Sequence, residues 1–427
     1  MMTQGAKSFR YTITTLTPLH IGCGEFMTPV EYHLGDELIV PELERIFAKY
    51  PEVGDQFNDK LASKSGEELA RTEMGKLLDP VVFEDREIRR YAVTPLHNDT
   101  GGFDSLKTLR GQIRNGQGEV RLVAKTTKHR PYIPGSSIKG AFRTAWAYEQ
   151  CNSDLNIFDA VSGLAWQGTD RNADQRLNSR VFQAPSRRRD EDGRTSHDNH
   201  AAFDVFRSFQ IGDSTSRPPN EVLLLVAERV LSAQIKARAG SVPADDKFRA
   251  RFKDFPVFCE AIDENFSFDG RISYDGMLLT NETARRTIGW TESQSGLTPE
   301  KVLQAVNRFA ADLCQWEIDY YERIEDDPRN CDVVDVLSFY DELKMKIRDA
   351  PPNTCYFSFG HGSGWHKLTI GLMLEKRMRR DQFAELRRSV ELAKDRTDFE
   401  YPKSRRLVMN GKSSAYGPFG WVQLKLV

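Results

Sequence analysis

The sequence is poor in the patterns on which most enzyme classes depend. Its six cysteines, Cys23, Cys151, Cys259, Cys314, Cys331 and Cys355, are scattered with no CxxC pair. That spacing excludes a zinc ribbon, argues against a secreted disulfide framework, and reads as free thiols in a reducing compartment. No apolar run approaches the roughly 20 residues of a membrane span, and nothing at the N-terminus resembles an export signal. A soluble, cytoplasmic protein without a membrane partner is the expectation. No GxxxxGK[ST] phosphate loop, GxSxG elbow or HExxH helix occurs. His197 and His200 stand three apart in HDNH, but they lie in a polar tract with no thiolate or third imidazole nearby. No metal site, no cofactor and no catalytic residue are therefore expected.

An overall surplus of positive charge is also missing. The formal net charge is −2 and the pI about 6.5, so any surface for a polyanion has to be local. It is: between Arg86 and Arg143 there are twelve Lys or Arg against four acidic residues, whereas Asp312 to Asp349 is rich in Asp and Glu. At 427 residues the chain exceeds the roughly 250 to 300 that one core supports. Two domains are expected, 1–217 and 218–427, with Pro218 and Pro219 at the join. The first carries an insertion at about 51–115 and a mobile loop at about 167–200, where mixed charge without apolar periodicity cannot bury a core. The second carries a helical insertion at about 281–350.

Periodicity supplies the elements. Phe9 to Leu16 alternates as a first strand, Glu31 to Val40 as a hairpin around Gly35 and Asp36, and Leu43 to Tyr50 as a short helix. Ala201 to Ile211 and Glu221 to Leu231 read as strands, and Phe255 to Ile262 with Phe266 to Tyr274 as a hairpin. Thr298 as cap and Pro299 at the first position open a long helix, followed by one from Val333 to Ile347. Cys355 to Phe359 and Gly420 to Val427 read as strands, with helix from Trp365.

The most informative stretch is Tyr132 to Tyr148, YIPGSSIKGAFRTAWAY. Ile138, Ala141, Phe142, Ala145 and Trp146 make one apolar helical stripe, and Lys139 and Arg143 share a face beside it. Gly135 forces a turn, Ser136 or Ser137 can cap the orphan amides, and such a helix start can hold an anion. Gly140 costs helix stability, about 1 kcal/mol, and is easiest to explain if another backbone approaches there. An ordinary capped helix on a sheet has the same spacing, so the motif needs company. Two further glycine turns provide it: LHIGCG, with His20 and Gly22, and FGHGSGWHK, with His361, Gly362 and Lys367. Both lie at strand ends, where backbone can approach phosphate or ribose. The two histidines keep open a metal-independent ribonuclease acting on a ribose 2′-hydroxyl.

FRYTITTLTPLHIGCG, YIPGSSIKGAFR and YGPFGWVQLKL, in that order, resemble the RAMP superfamily of CRISPR proteins, and within it the Csm5 family. Members of that family cap the backbone of the type III-A Csm interference complex. The resemblance runs over essentially the whole chain. It implies an α+β fold of two ferredoxin-like, RRM-type halves with helical insertions. It also implies a non-catalytic subunit that holds the 3′ part of the CRISPR RNA, supports guide maturation, and meets target RNA indirectly. Its partners would be other Csm subunits, chiefly the adjacent backbone subunit, with host ribonucleases as a further possibility. By motif position Gly135, Ser136, Ser137, Lys139, Gly140 and Arg143 would contact the guide backbone, with His20 and Gly22 nearby. Aromatic pairs for base stacking are not evident on the predicted strands, which favours reading of the backbone.

Overall fold

The computed structural model describes residues 6–96, 104–155, 157–159, 177, 181–183, 203–234, 247–325, 331–389, 392, 402 and 404–427. Among these the strands form two sheets. One contains β1 (Lys7–Thr15), β7 (Phe209–Ile211), β11 (Ser267–Tyr274), β12 (Thr354–Ser358) and β15 (Trp421–Leu426), in the order β12-β15-β1-β11-β7. Alternation along β1 buries Tyr11, Ile13 and Thr15, as its period of two requires. The other sheet contains β2 (Gly22–Met27), β3 (His33–Leu34), β4 (Leu38–Pro41), β5 (Arg89–Pro95), β6 (Val120–Val123), β8 (Leu223–Gln234), β9 (Arg249–Phe252), β10 (Val257–Ile262), β13 (Ser404–Met409) and β14 (Ala415–Pro418). Its order is β2-β6-β10-β8-β5-β4-β3, with β9 and β13 also paired to β8 and β14 to β13. The α+β class with helical insertions is what the structure shows.

Both sheets draw strands from either side of Pro218, and one hydrophobic cluster runs from Tyr11 to Leu424. The join at 217/218 is therefore where the chain leaves one sheet, at β7, and enters the other, at β8. Val205–Ser208 is a 3-10 turn started by the Asp204 carboxylate, which accepts the Phe206 N–H at 2.8 Å, so among the described residues of the strand expected over 201–211 only Phe209–Ile211 forms one. The expected hairpin of β10 and β11 does not form either. β10 pairs with β8 and β6, β11 with β1 and β7. Asn265, at φ 64°, hands the chain between the sheets, its N–H donating to Thr15 O at 2.7 Å. Apart from Leu177 and Val181 to Gln183, the polar tract expected to be a mobile loop lies outside the described residues.

Helices cover the first sheet. Pro299–Glu322 starts where predicted, with Thr298 Oγ1 accepting the Lys301 N–H, and buries Val302, Val306, Phe309, Leu313 and Tyr320. Val334–Arg348 packs beside it. Gly135–Ser153 lays its stripe on the same sheet, the Phe142 ring standing 5.2 Å from Phe357 and 6.3 Å from Phe209. Beyond Trp365 the helical stretch is broken into Gly364–Leu368, Gly371–Arg377 and Arg380–Ser389.

Candidate nucleic-acid interface

The helix carrying the glycine–serine motif begins at Gly135, two or three residues before a serine cap would start it. Pro134 is the cap residue and has no capping side chain, so neither Ser136 nor Ser137 acts as expected. The Gly135 N–H donates instead to Asp213 Oδ1 at 2.8 Å. The positive end of the helix has thus recruited an anion from within the chain. A Cβ at Gly135 would sit 2.3 Å from the Ile211 carbonyl oxygen, so this glycine serves the close approach of its own chain. Gly140 is the reverse case: it is exposed, and a Cβ there meets nothing within 4 Å.

The two cations of the motif differ in kind. Arg143 is committed inward, its Nη1 donating to both oxygens of Asp204 at 2.9 and 2.7 Å while its guanidinium lies 3.9 Å from the Phe182 ring centre. Lys139 is half-buried and has no hydrogen bond or ion pair among the described residues, and burial lowers its pKa. Lys367, expected to reach phosphate, is only 7 % exposed, with its ammonium over the Trp421 ring at 5.3 Å. It is a core residue, and burial lowers its pKa too. Gly362, at φ 80°, packs on Phe419, 3.0 Å from where its Cβ would be.

The other two glycine turns, far apart in sequence, close on one another. The His361 N–H donates to His20 O at 2.8 Å. At Gly360, φ is 79° and a Cβ would lie 2.6 Å from that same oxygen, so the contact needs glycine. The His20 and His361 rings meet edge to face, 5.4 Å apart. His20 Nδ1 lies 2.7 Å from the Glu260 carbonyl oxygen, which can only accept. Nδ1 therefore carries the proton, and Nε2 faces Gly22, where a Cβ would come within 3.1 Å. Burial pulls the His20 pKa down to about 4, against the opposing effect of that hydrogen bond, so the ring is neutral at neutral pH. His361 Nε2 meets Glu228 Oε2, and the Arg406 guanidinium donates to the other oxygen. Burial raises the Glu228 pKa, but His361 and Arg406 outweigh it and hold the carboxyl below its ordinary range.

Outside the histidine pair lies an open cavity of about 490 Å³, lined by His20, Gly22, Phe26, Arg121 and His361 among others. Arg121, on β6, is half-buried and makes no side-chain hydrogen bond or ion pair among the described residues. Phe26, on the edge strand β2, is 51 % exposed. Arg121, Phe26 and Glu228 were not singled out from sequence. A signal existed for Glu228, and for the equally buried Glu260: each is a lone carboxylate inside an apolar strand run, LLLVAERVL and VFCEAI. The structure thus joins His20, Gly22 and His361 at the β2–β6 edge, while the Gly135 helix start is held beside the other sheet by residues 211–213. Among the described residues no helix is long and apolar enough to cross a membrane, and no group of three His, Cys, Asp or Glu is placed to hold a metal ion.

The model of the RAMP superfamily matches residues 12–328. The CRISPR system Cms protein Csm5 of Mycobacterium tuberculosis, in strains CDC 1551 / Oshkosh and ATCC 25618 / H37Rv, is 23 % identical over 321 residues, spanning 72 % of this chain and 74 % of that protein. A chain of the Csm–crRNA–target RNA ternary complex of a type III-A CRISPR-Cas system, solved by cryo-EM, superposes with a TM-score of 0.64 at 20 % identity, covering 99 % of this chain and 100 % of that one. The crystal structure of T. onnurineus Csm5 gives 0.61 at 20 % identity over 96 % and 99 %.

Proposed function

The chain belongs to the RAMP superfamily, and from that premise we propose that it is a Csm5-type subunit of a type III-A CRISPR Csm complex. In this reading it binds the 3′ part of the CRISPR RNA at the end of the subunit filament, beside the adjacent backbone subunit, and meets target RNA through the guide. The observation that carries the reading is Arg121: a guanidinium with no hydrogen bond or ion pair among the described residues, over an open cavity that Gly22 and Gly24 also line. Lys139 and the open face at Gly140 supply a second contact on the other sheet. Guanidinium, ammonium and main-chain groups recognise phosphate and ribose whatever the bases, which suits a protein that accepts any spacer.

Among the described residues the paired histidines are the arrangement that favours cleavage, and their bonding points the other way. His20 is neutral and 3 % exposed, and His361 Nε2 is spent on Glu228. They brace the two turns, so maturation of the guide falls to a ribonuclease recruited to the complex. Two measurements test the reading. Arg121→Ala with Lys139→Ala should weaken binding of a guide 3′ fragment and flatten its salt dependence, by about 0.7 in logarithmic slope for each phosphate no longer neutralised. An unchanged slope counts against it. Labelled repeat RNA in EDTA should stay intact; cleavage that disappears in His20→Ala or His361→Ala would restore the enzymatic reading.

A further inference from the structure

The register of the second sheet puts Arg121 on a longer basic face. Arg121 stands opposite Cys259 and Cys259 opposite Val226, so Glu228, Val230, Ser232 and Gln234, every second residue further along β8, share its side. Across β8, Ser232 faces Arg251 and Gln234 faces Arg249 on β9, while Ser404 and Arg406 of β13 lie opposite Ser232 and Val230. Lys253 continues the β9 ladder, its N–H donating to Val230 O at 2.9 Å, and alternates to the side of Arg251. The residues between, Leu231, Ala250, Phe252 and Arg405, are buried, so the opposite side is core and this one meets solvent. Only the small side chains of Ser232 and Ser404 separate Arg251 from the β13 edge of the face.

Two of the cations here are answered: Arg249 donates to Glu325 Oε2 at 2.8 Å, and Arg406 to Glu228. Arg251 and Lys253 are exposed and, like Arg121, have no side-chain hydrogen bond or ion pair among the described residues. The nearby acids do not offset them. Glu119 stands just ahead of β6, and Asp254 sets its charge against Arg229, which alternates to the other side. Along β9 the two free cations are about 7 Å apart, and Lys253 lies four β8 residues, about 14 Å, from the level of Arg121. Beyond Lys253 the strand bulges: Asp254 to Pro256 fill the space opposite Arg229 alone, between Lys253 at Val230 and Val257 at Glu228. The bulge carries Phe255, which is 71 % exposed. Bulges re-aim side chains out of the pleat. An aromatic ring left in water beside unpaired cations is the combination that holds single strands, with phosphates on the cations and a base on the ring.

We propose that this face is a further stretch of the RNA path: a single strand leaving Arg121 crosses the sheet to β9, where Arg251 and Lys253 take phosphates and Phe255 stacks on one base. The inference rests on the guide-binding reading and extends it from the β2–β6 edge across β8. Charges also guard an exposed sheet edge against pairing with another chain, and β9 pairs with β8 alone among the strands. The two roles part in measurement.

The test is equilibrium binding of the full-length protein to an oligouridylate of about 16 nucleotides, the long end of single-stranded sites, across a series of salt concentrations. Arg251→Ala with Lys253→Ala should keep the wild-type Tm, weaken binding and flatten the logarithmic salt slope by about 1.4, two phosphates at about 0.7 each. Arg251→Lys keeps the charge and should keep the slope. Phe255→Ala should lower affinity about fivefold or more, the loss of one stacked base, at an unchanged slope. A wild-type slope in the double variant, or wild-type affinity in Phe255→Ala, overturns the extended path, and an Arg121→Ala variant that still flattens the slope leaves the guide reading standing. Self-association of the double variant with RNA binding intact assigns the charges to guarding the edge and overturns the path as well. Absence of any RNA binding overturns both readings.

Discussion

Asp213 Oδ1 accepts the Gly135 N–H at 2.8 Å, across 78 residues of chain. The helix start that looked ready for a phosphate already holds a carboxylate, and the two would compete for the same donors. Asp213→Ala should therefore separate fold from function. Loss of the cap should cost about 1 kcal/mol in urea unfolding, while RNA affinity at low salt holds or rises. A matching fall in affinity would mean that Asp213 positions the binding surface instead of occupying it.

Arg143 and Arg121 should part in the same assay. Arg143→Ala leaves the Asp204 carboxylate with the Phe206 N–H but without its cation, and strips the guanidinium from the Phe182 ring. Losing hydrogen bonds to a charged group of this kind costs about 2 kcal/mol of stability. Because Arg143 faces inward, its removal should leave the salt dependence of RNA binding untouched, whereas Arg121→Ala should lower that dependence without shifting the unfolding midpoint.

What the sequence revealed is what depends on neighbours in the chain. Pro299–Glu322 has its cap, its proline and its apolar period within the segment, and the Gly135 helix and β1 were legible for the same reason. β10 and β11 were legible as strands but not as partners. Five residues apart from Ile262 to Ser267, they look like a hairpin, yet each finds a better match elsewhere: Glu260 opposite Leu225, Phe268 opposite Ile13. The short strands β2, β5 and β6 are stabilised by partners distant in sequence and carry little local signal. At the site, glycine turns announced themselves but cation geometry did not. Nothing in the spacing of Lys139, Arg143 and Lys367 tells that one is half-buried without a hydrogen bond or ion pair among the described residues, one is bound to Asp204, and one lies in the core.

His20 gives the fold a defined acid sensitivity. Its folded pKa of about 4 lies below the ordinary 6.5, so between these values the unfolded chain binds more protons than the folded one. Stability from this residue is complete above the unfolded value and is lost as pH falls, by about 2 kcal/mol on going from pH 7 to pH 5. His20→Asn retains a side-chain donor for the Glu260 carbonyl and cannot titrate. Urea unfolding at the two pH values should show the wild type losing about that much more stability than the variant. Equal losses would mean that His20 is not held neutral by its surroundings.

Gly140 distinguishes a helix that merely packs from one that meets another backbone. It lies inside the helix with open space where a Cβ would go, so alanine there adds no clash. Gly140→Ala should raise stability by up to about 1 kcal/mol. If the guide backbone runs over this face, the added methyl stands between the helix and the phosphates flanking Lys139. Affinity should then fall in a protein that has become more stable, a combination that no global effect on folding produces. Tighter folding with unchanged affinity would remove the Gly140 face from the binding surface and leave the β2–β6 edge, with Arg121, as the place where RNA is held.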